Sequence, residues 1–293
     1  MELFFAQLIN GISMGSIYAL VALGYTMVYG IVKLINFAHG DIIMVGAYVV
    51  YILVRMAGLP FLPAVLLAMA ACAILGVTMD RIAYKPLRKA TRLSALITAI
   101  GVSLFLQNSF MVVMGSSPRP FPAVSIPGHV QIFGNVTASN LTVVTIMVSL
   151  LMMGMLQLIV MKTRVGKAMR AVSEDSGAAA LMGINVNTTI AITFAIGSGL
   201  AAVGSALYAS TFPLVDPFMG MMLGLKAFVA AVVGGIGIIP GAMLGGFLIG
   251  IAQSLTIAYI SSQLADAVVF SMLIIVLLFK PAGILGKATG EKV

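Results

Sequence analysis

The chain has 293 residues, of which 61% are hydrophobic and 8% charged, with a mean hydropathy of +1.16. Soluble globular proteins carry roughly 25% charged residues, so this composition cannot cover a water-facing surface and lipid must solvate most of the chain. The net charge of +8 comes from 16 Lys and Arg against 8 Asp and Glu. The basic residues bunch in short loops, which favours a topology signal over nucleic-acid binding.

The N-terminal stretch Met1-Glu-Leu-Phe-Phe5 lacks the basic start of a cleaved signal peptide, and its apolar run is too long for one. It reads as a first membrane span retained in the mature protein. A helix crossing a ~30 Å hydrocarbon core needs about 20 mostly apolar residues. Runs of that kind lie near 4–29, 41–57, 60–79, 93–114, 141–161, 189–212, 219–237, 241–260 and 264–279. The second is short, and the seventh holds Lys226 and ends in Gly234-Gly-Ile-Gly237, so it is broken or re-entrant on this reading. The expectation is an all-α polytopic membrane protein with eight or nine transmembrane helices in one membrane domain over 1–293. Its longest loops hold about 25 residues, too short for a nucleotide-binding domain.

Lys and Arg mark loops that stay in the cytoplasm. Arg81, Lys85, Arg88, Lys89 and Arg92 fill one such loop, and Lys162, Arg164, Lys167 and Arg170 a second. Lys280, Lys287 and Lys292 follow the last span. Segment 115–140 carries only Arg119 with four prolines and reads as an outer loop. Nine crossings then put the N-terminus outside and the C-terminus inside.

Small residues recur every fourth position at Gly11/Gly15, Ala201/Ser205/Ala209, Gly241/Gly245 and Ala242/Gly246/Gly250/Ser254. In lipid such stripes let helix backbones approach closely, either within the bundle or against a second subunit. The 21 Met residues suit adaptable packing or an apolar lining.

No chemistry beyond transport is spelled out. Cys72 has no partner for a disulfide or a Cys-based cluster, and His39 and His129 lack metal-ligand spacing. Neither a phosphate loop nor an H-E-x-x-H or G-x-S-x-G motif occurs, so no cofactor or metal is expected and no energy source is carried. Ion-driven carriers keep ionisable residues inside their helices. Here Asp41, Arg55, Asp80, Asp216 and Asp266 fall at span ends, and Lys226 lies inside an apolar run. Lys226 snorkels to the interface, meets a substrate carboxylate or pairs with Asp216. Asn36, His39 and Asp41 lie between the first two spans; they form either a capped helix start or a gate. The rival readings are an ion-coupled carrier of a small neutral solute and a membrane-embedded enzyme using His39 and Asp41.

Loop 162–188 carries the stronger signal. Ser173 is placed to cap a short helix over 173–183, with Glu174 and Asp175 in its first turn and Gly183 at its end. The small-residue run Ser176-Gly-Ala-Ala-Ala-Leu-Met-Gly183 suits a helix that docks in a partner's groove.

The stretch Arg170-Ala-Val-Ser-Glu-Asp-Ser-Gly-Ala-Ala-Ala-Leu-Met-Gly-Ile184 resembles the EAA-type coupling loop of ABC importer permeases. Asn10-Gly-Ile-Ser-Met-Gly-Ser-Ile-Tyr-Ala-Leu20, Gly24-Tyr-Thr-Met-Val-Tyr-Gly30, Ile35-Asn-Phe-Ala-His-Gly40 and Lys280-Pro-Ala-Gly-Ile-Leu-Gly-Lys287 narrow the match. So do Leu225-Lys-Ala-Phe-Val-Ala-Ala-Val-Val-Gly-Gly-Ile-Gly237 and Ile239-Pro-Gly-Ala-Met-Leu-Gly-Gly246. Together they look like the LivH-type permease of high-affinity branched-chain amino acid ABC importers, along nearly the whole chain. The resemblance implies an importer-permease bundle in the bacterial cytoplasmic membrane. It also implies a LivM-like second permease, two cytoplasmic ABC ATPases and a periplasmic binding protein for leucine, isoleucine or valine. Arg170, Ser173, Glu174, Asp175 and Gly183 are then the ATPase-coupling residues, with Asn36, His39, Asp41, Asp216 and Lys226 as pathway or gating residues. One departure is that Ser173-Glu-Asp-Ser-Gly-Ala stands where other importer classes have Glu-Ala-Ala.

Overall fold

The computed structural model describes residues 1–88, 90–122, 127–133 and 136–286. Lys89, Lys287 and Lys292 of the basic loops, and parts of segment 115–140, lie outside the described residues. Among the described residues, eleven α-helices run in chain order. They are α1 (Glu2–Val32), α2 (His39–Arg55), α3 (Phe61–Met79), α4 (Arg92–Met114), α5 (Asn140–Lys162), α6 (Arg164–Glu174), α7 (Ser176–Leu181), α8 (Val186–Thr211), α9 (Met219–Gly234), α10 (Ile239–Tyr259) and α11 (Ala265–Phe279). Seven are long and apolar enough to cross a membrane: α1, α3, α4, α5, α8, α10 and α11, the last together with the 3-10 turn Ser262–Leu264 that leads into it. α2 and α9, with 17 and 16 residues, fall short of that length.

The all-α expectation needs one amendment. At the end of the bundle opposite the basic loops lie two antiparallel strand pairs. β1 (Arg119–Pro120) pairs with β4 (Leu214–Val215), and β2 (His129–Phe133) with β3 (Val136–Ser139). Backbone groups between apolar helices must still find hydrogen-bond partners, and these short ladders supply them.

The core gathers around α1 and α8, the two of the seven long helices whose apolar stretches are mostly buried. The small-residue stripes are spent inside the chain. An added Cβ on Gly15 would sit 2.8 Å from the Gly246 carbonyl oxygen, so α1 and α10 touch backbone to backbone. Dispersion and close approach hold such crossings where lipid offers no hydrophobic driving force. Ser205 and Ala202 of α8 fill the matching space beside Gly46 of α2.

The two short helices explain each other. Within the six residues between α1 and α2 the chain turns back into the bundle, so that Asn36, Ala38 and His39 are already buried. α2 therefore starts level with the body of α1, where the His39 ring lies against Tyr25 at 4.7 Å between centroids. The first turn of α9 meets that of α2, with an added Cβ on Gly40 only 2.6 Å from the Gly220 carbonyl oxygen. The helix over 219–234 is continuous; the break lies just beyond it, where Gly235 and Gly237 take positive φ values of 117° and 93°.

Candidate functional site

Two groups of residues carry the polar chemistry, one at the basic end and one at depth. At the basic end, Thr163 caps α6 by accepting from the Gly166 amide at 3.1 Å. Gly166, Met169 and Val172 face inward, leaving Arg164, Lys167 and Arg170 exposed. The chain then breaks at Asp175, whose backbone is extended (φ −151°, ψ 109°).

Here the structure corrects the sequence reading. Ser173 sits in the last turn of α6, where its hydroxyl donates to the Arg170 carbonyl at 2.7 Å, and Glu174 ends that helix. The cap is Asp175, whose Oδ1 accepts from the Gly177 and Ala178 amides at 2.7 and 3.0 Å. A carboxylate there satisfies two orphan donors and faces the positive helix end, which a hydroxyl two residues earlier cannot do. Gly183 stands where it was expected. With φ at 82°, it lets its own amide reach the Ala180 carbonyl and the Ile184 amide reach that of Ala179, each at 3.0 Å. That pair of bonds is the Schellman closure of a helix end. Between cap and closure, Leu181 and Met182 are 91% and 82% exposed.

Arg170, Ser173 and Glu174 line a cleft of about 710 Å³ with Tyr29 and Lys33 at the end of α1 and the turn between α9 and α10. Asp175 and Gly183 lie at the two ends of α7. Three of the five expected coupling residues thus line this cleft, and the other two bound α7.

At depth, Asn36 Oδ1 accepts from the Tyr84 hydroxyl at 2.6 Å, while its Nδ2 is buried without a partner. Tyr84, in the π-helical turn Asp80–Tyr84 that extends α3, stacks on Phe194 of α8. His39 is buried with Nε2 unpartnered. Asp41 sits in the first turn of α2, as expected, and is buried within the bundle. Its Oδ1 accepts from Gln107 Nε2 at 2.8 Å, about two-thirds of the way along α4. The same Gln107 amide donates to Ser103 Oγ at 3.2 Å.

The other two pathway candidates have different partners from those foreseen. Lys226 pairs with Asp266 at 2.7 Å, near the start of α11, and not with Asp216. Asp216 instead accepts from the Phe218 amide at 2.8 Å and closes the turn ahead of α9. Arg88 is the neutralising partner of buried Asp80 at 2.6 Å and reaches Asn187 at the start of α8. Gln107, Ser103 and Tyr84 were not singled out from the sequence; a Gln inside the apolar run 93–114 was the available signal.

Long apolar helices around a buried core, with polar groups buried among them and gathered at one end, define a polytopic helical membrane protein. The family described as the permease component of the branched-chain amino acid transport system matches residues 7–277, and the chain belongs to it. It is 45% identical to the high-affinity branched-chain amino acid transport system permease protein BraD of Pseudomonas aeruginosa, over 98% of this chain and 97% of that one. It is 42% identical to the permease protein LivH of the corresponding Escherichia coli system, over 99% and 98%. A probable LivH of Methanocaldococcus jannaschii is 32% identical over 92% and 89%. No solved structure matches. Membership in a transport family sets aside the membrane-enzyme reading of His39 and Asp41.

Proposed function

We propose that this chain is the membrane permease subunit of an ATP-driven importer for leucine, isoleucine, valine or related neutral amino acids. The observation that carries the reading is near end-to-end similarity to permeases named for that transport, in a chain without a phosphate loop. On this reading 1–293 is a single permease domain in the bacterial cytoplasmic membrane. It works beside a second, LivM-like permease, two cytoplasmic ABC ATPases and a periplasmic binding protein. Nine helices cross, α2 and α9 among them. The N-terminus and loop 115–140 lie outside; loop 162–188 and the C-terminus lie in the cytoplasm.

The ATPases dock on α7. An exposed Leu181–Met182 pair on a short, well-capped helix is a surface for an apolar groove. Arg170, Ser173, Glu174, Asp175 and Gly183 set the angle of that helix against α6. Closure of the ATPase dimer then pulls α6 against α1 and α8, and Asn36 and His39 act as the joint between α1 and α2. Asp216 and Lys226, already engaged within the chain, brace α9.

Co-expression of the chain with its partner permease, the ATPases and the binding protein tests this. The expected result is one complex whose ATP hydrolysis rises with leucine-loaded binding protein and which imports leucine into vesicles only with ATP. Uptake that persists without ATP and follows an ion gradient would favour the ion-coupled carrier instead.

A further inference from the structure

A cavity of about 310 Å³ opens between α2, α4 and α9, at the point where the two short helices begin. Its volume lies at the lower end of the range for small-molecule sites, which are mostly apolar with a few placed polar groups. Leu96, Ile100 and Leu104 of α4 and Met221 and Leu225 of α9 form apolar walls. Ser103, Gln107 and Asp41 converge at one place on the lining.

Asp41 is the unusual member. It is 2% exposed, yet among the described residues no Lys, Arg or His nitrogen lies within ion-pair distance of it. Elsewhere buried Asp80 has Arg88, and Lys226 has Asp266. A buried carboxylate is costly unless a cation or several hydrogen bonds compensate it. Gln107, Ser103 and the Asp41 backbone amide supply neutral donors, but none carries a charge. Leu104 and Met221 are about half exposed, at 53% and 51%, so the cavity opens sideways to the chain's surface and is reachable.

We propose that this cavity holds the transported amino acid in transit, with Asp41 taking its α-ammonium group and the α4 and α9 walls taking its aliphatic side chain. The inference rests on the transport reading above and adds a site to it. An ammonium supplies the missing charge partner through a charge-assisted hydrogen bond, and the apolar walls reward a branched side chain. An acceptor-only carboxylate does not discriminate among side chains, so preference within the neutral amino acids falls to residues such as Leu225.

The test uses the whole importer in proteoliposomes, with leucine and alanine as probes. Asp41→Asn keeps the shape and the Gln107 contact but removes the charge, and leucine imported per ATP hydrolysed should fall at least about tenfold, the loss of one hydrogen bond to a charged group. Leu225→Trp narrows the cavity and should lower leucine uptake at least about fivefold more than alanine uptake. A wild-type complex without ATP-driven uptake overturns the transport reading and the site with it. A wild-type complex that transports beside an Asp41→Asn variant that transports equally overturns the site alone. Should Asp41→Asn not assemble, Leu225→Trp decides: an unchanged leucine-to-alanine ratio overturns the proposal.

Discussion

The Tyr84 hydroxyl donates a 2.6 Å hydrogen bond to Asn36 Oδ1, tying the π-helical end of α3 to the segment that turns back into the bundle before α2. Both groups are buried, so losing one leaves the other unsatisfied at a cost of about 1–3 kcal/mol. Asn36→Ala should therefore lower the unfolding temperature in detergent more than Tyr84→Phe, which retains the stack on Phe194. An unchanged unfolding temperature in both variants would mean that the hydrogen bond does not hold the segment.

Helix α7 should depend on Asp175 rather than Ser173. Asp175→Ala strips the acceptor from two amides and costs about 1 kcal/mol of local helix stability. Uptake by the assembled importer should drop several-fold with membrane insertion intact. Ser173→Ala removes only a bond to the turn behind it and should lower uptake less than Asp175→Ala does. Hydrogen exchange of the 176–182 amides reads the local effect directly.

Charging the exposed face of the same helix separates docking from folding. Leu181→Asp with Met182→Asp alters side chains that are 91% and 82% exposed, so the isolated permease should stay folded. Co-purification of the ATPases should be lost. Retained ATPase in the pull-down would place the coupling contact elsewhere.

The α1–α10 crossing should tolerate nothing larger than its glycines. Gly15→Val forces a side chain onto the Gly246 carbonyl and the Phe247 backbone and should abolish accumulation of folded protein. Gly154→Ala on α5 meets no atom of the chain within 4 Å and should be neutral, to within about 0.5 kcal/mol. Quantitative immunoblotting of detergent-extracted, monodisperse protein compares the two.

Lys226 and Asp266 should show coupling in a double-mutant cycle. Asp266 is 42% exposed at the side chain, so solvent screens the pair and about 1 kcal/mol is expected from thermal unfolding of Lys226→Met, Asp266→Asn and the double variant. Additive effects would mean that the 2.7 Å contact contributes no net stability.

The sequence alone determined the solvent of this protein, most of its helices and the ends at which its charges collect. Those properties are sums over windows of about 20 residues, and hydropathy reports them without knowledge of neighbours. It also marked Gly183 as a helix end and the small-residue stripes as places of close approach, because both follow from the missing or reduced side chain itself. Only the tertiary structure decided depth and partnership. Asp41 sits at an apolar run's edge in the sequence, yet the segment before it folds inward and brings it to Gln107, 66 residues away. Lys226 finds its acid on α11 rather than in the adjoining loop. Coulomb attraction and hydrogen bonding act through space at a few ångströms, so which polar group meets which depends on the neighbouring helix, and spacing along the chain does not encode that.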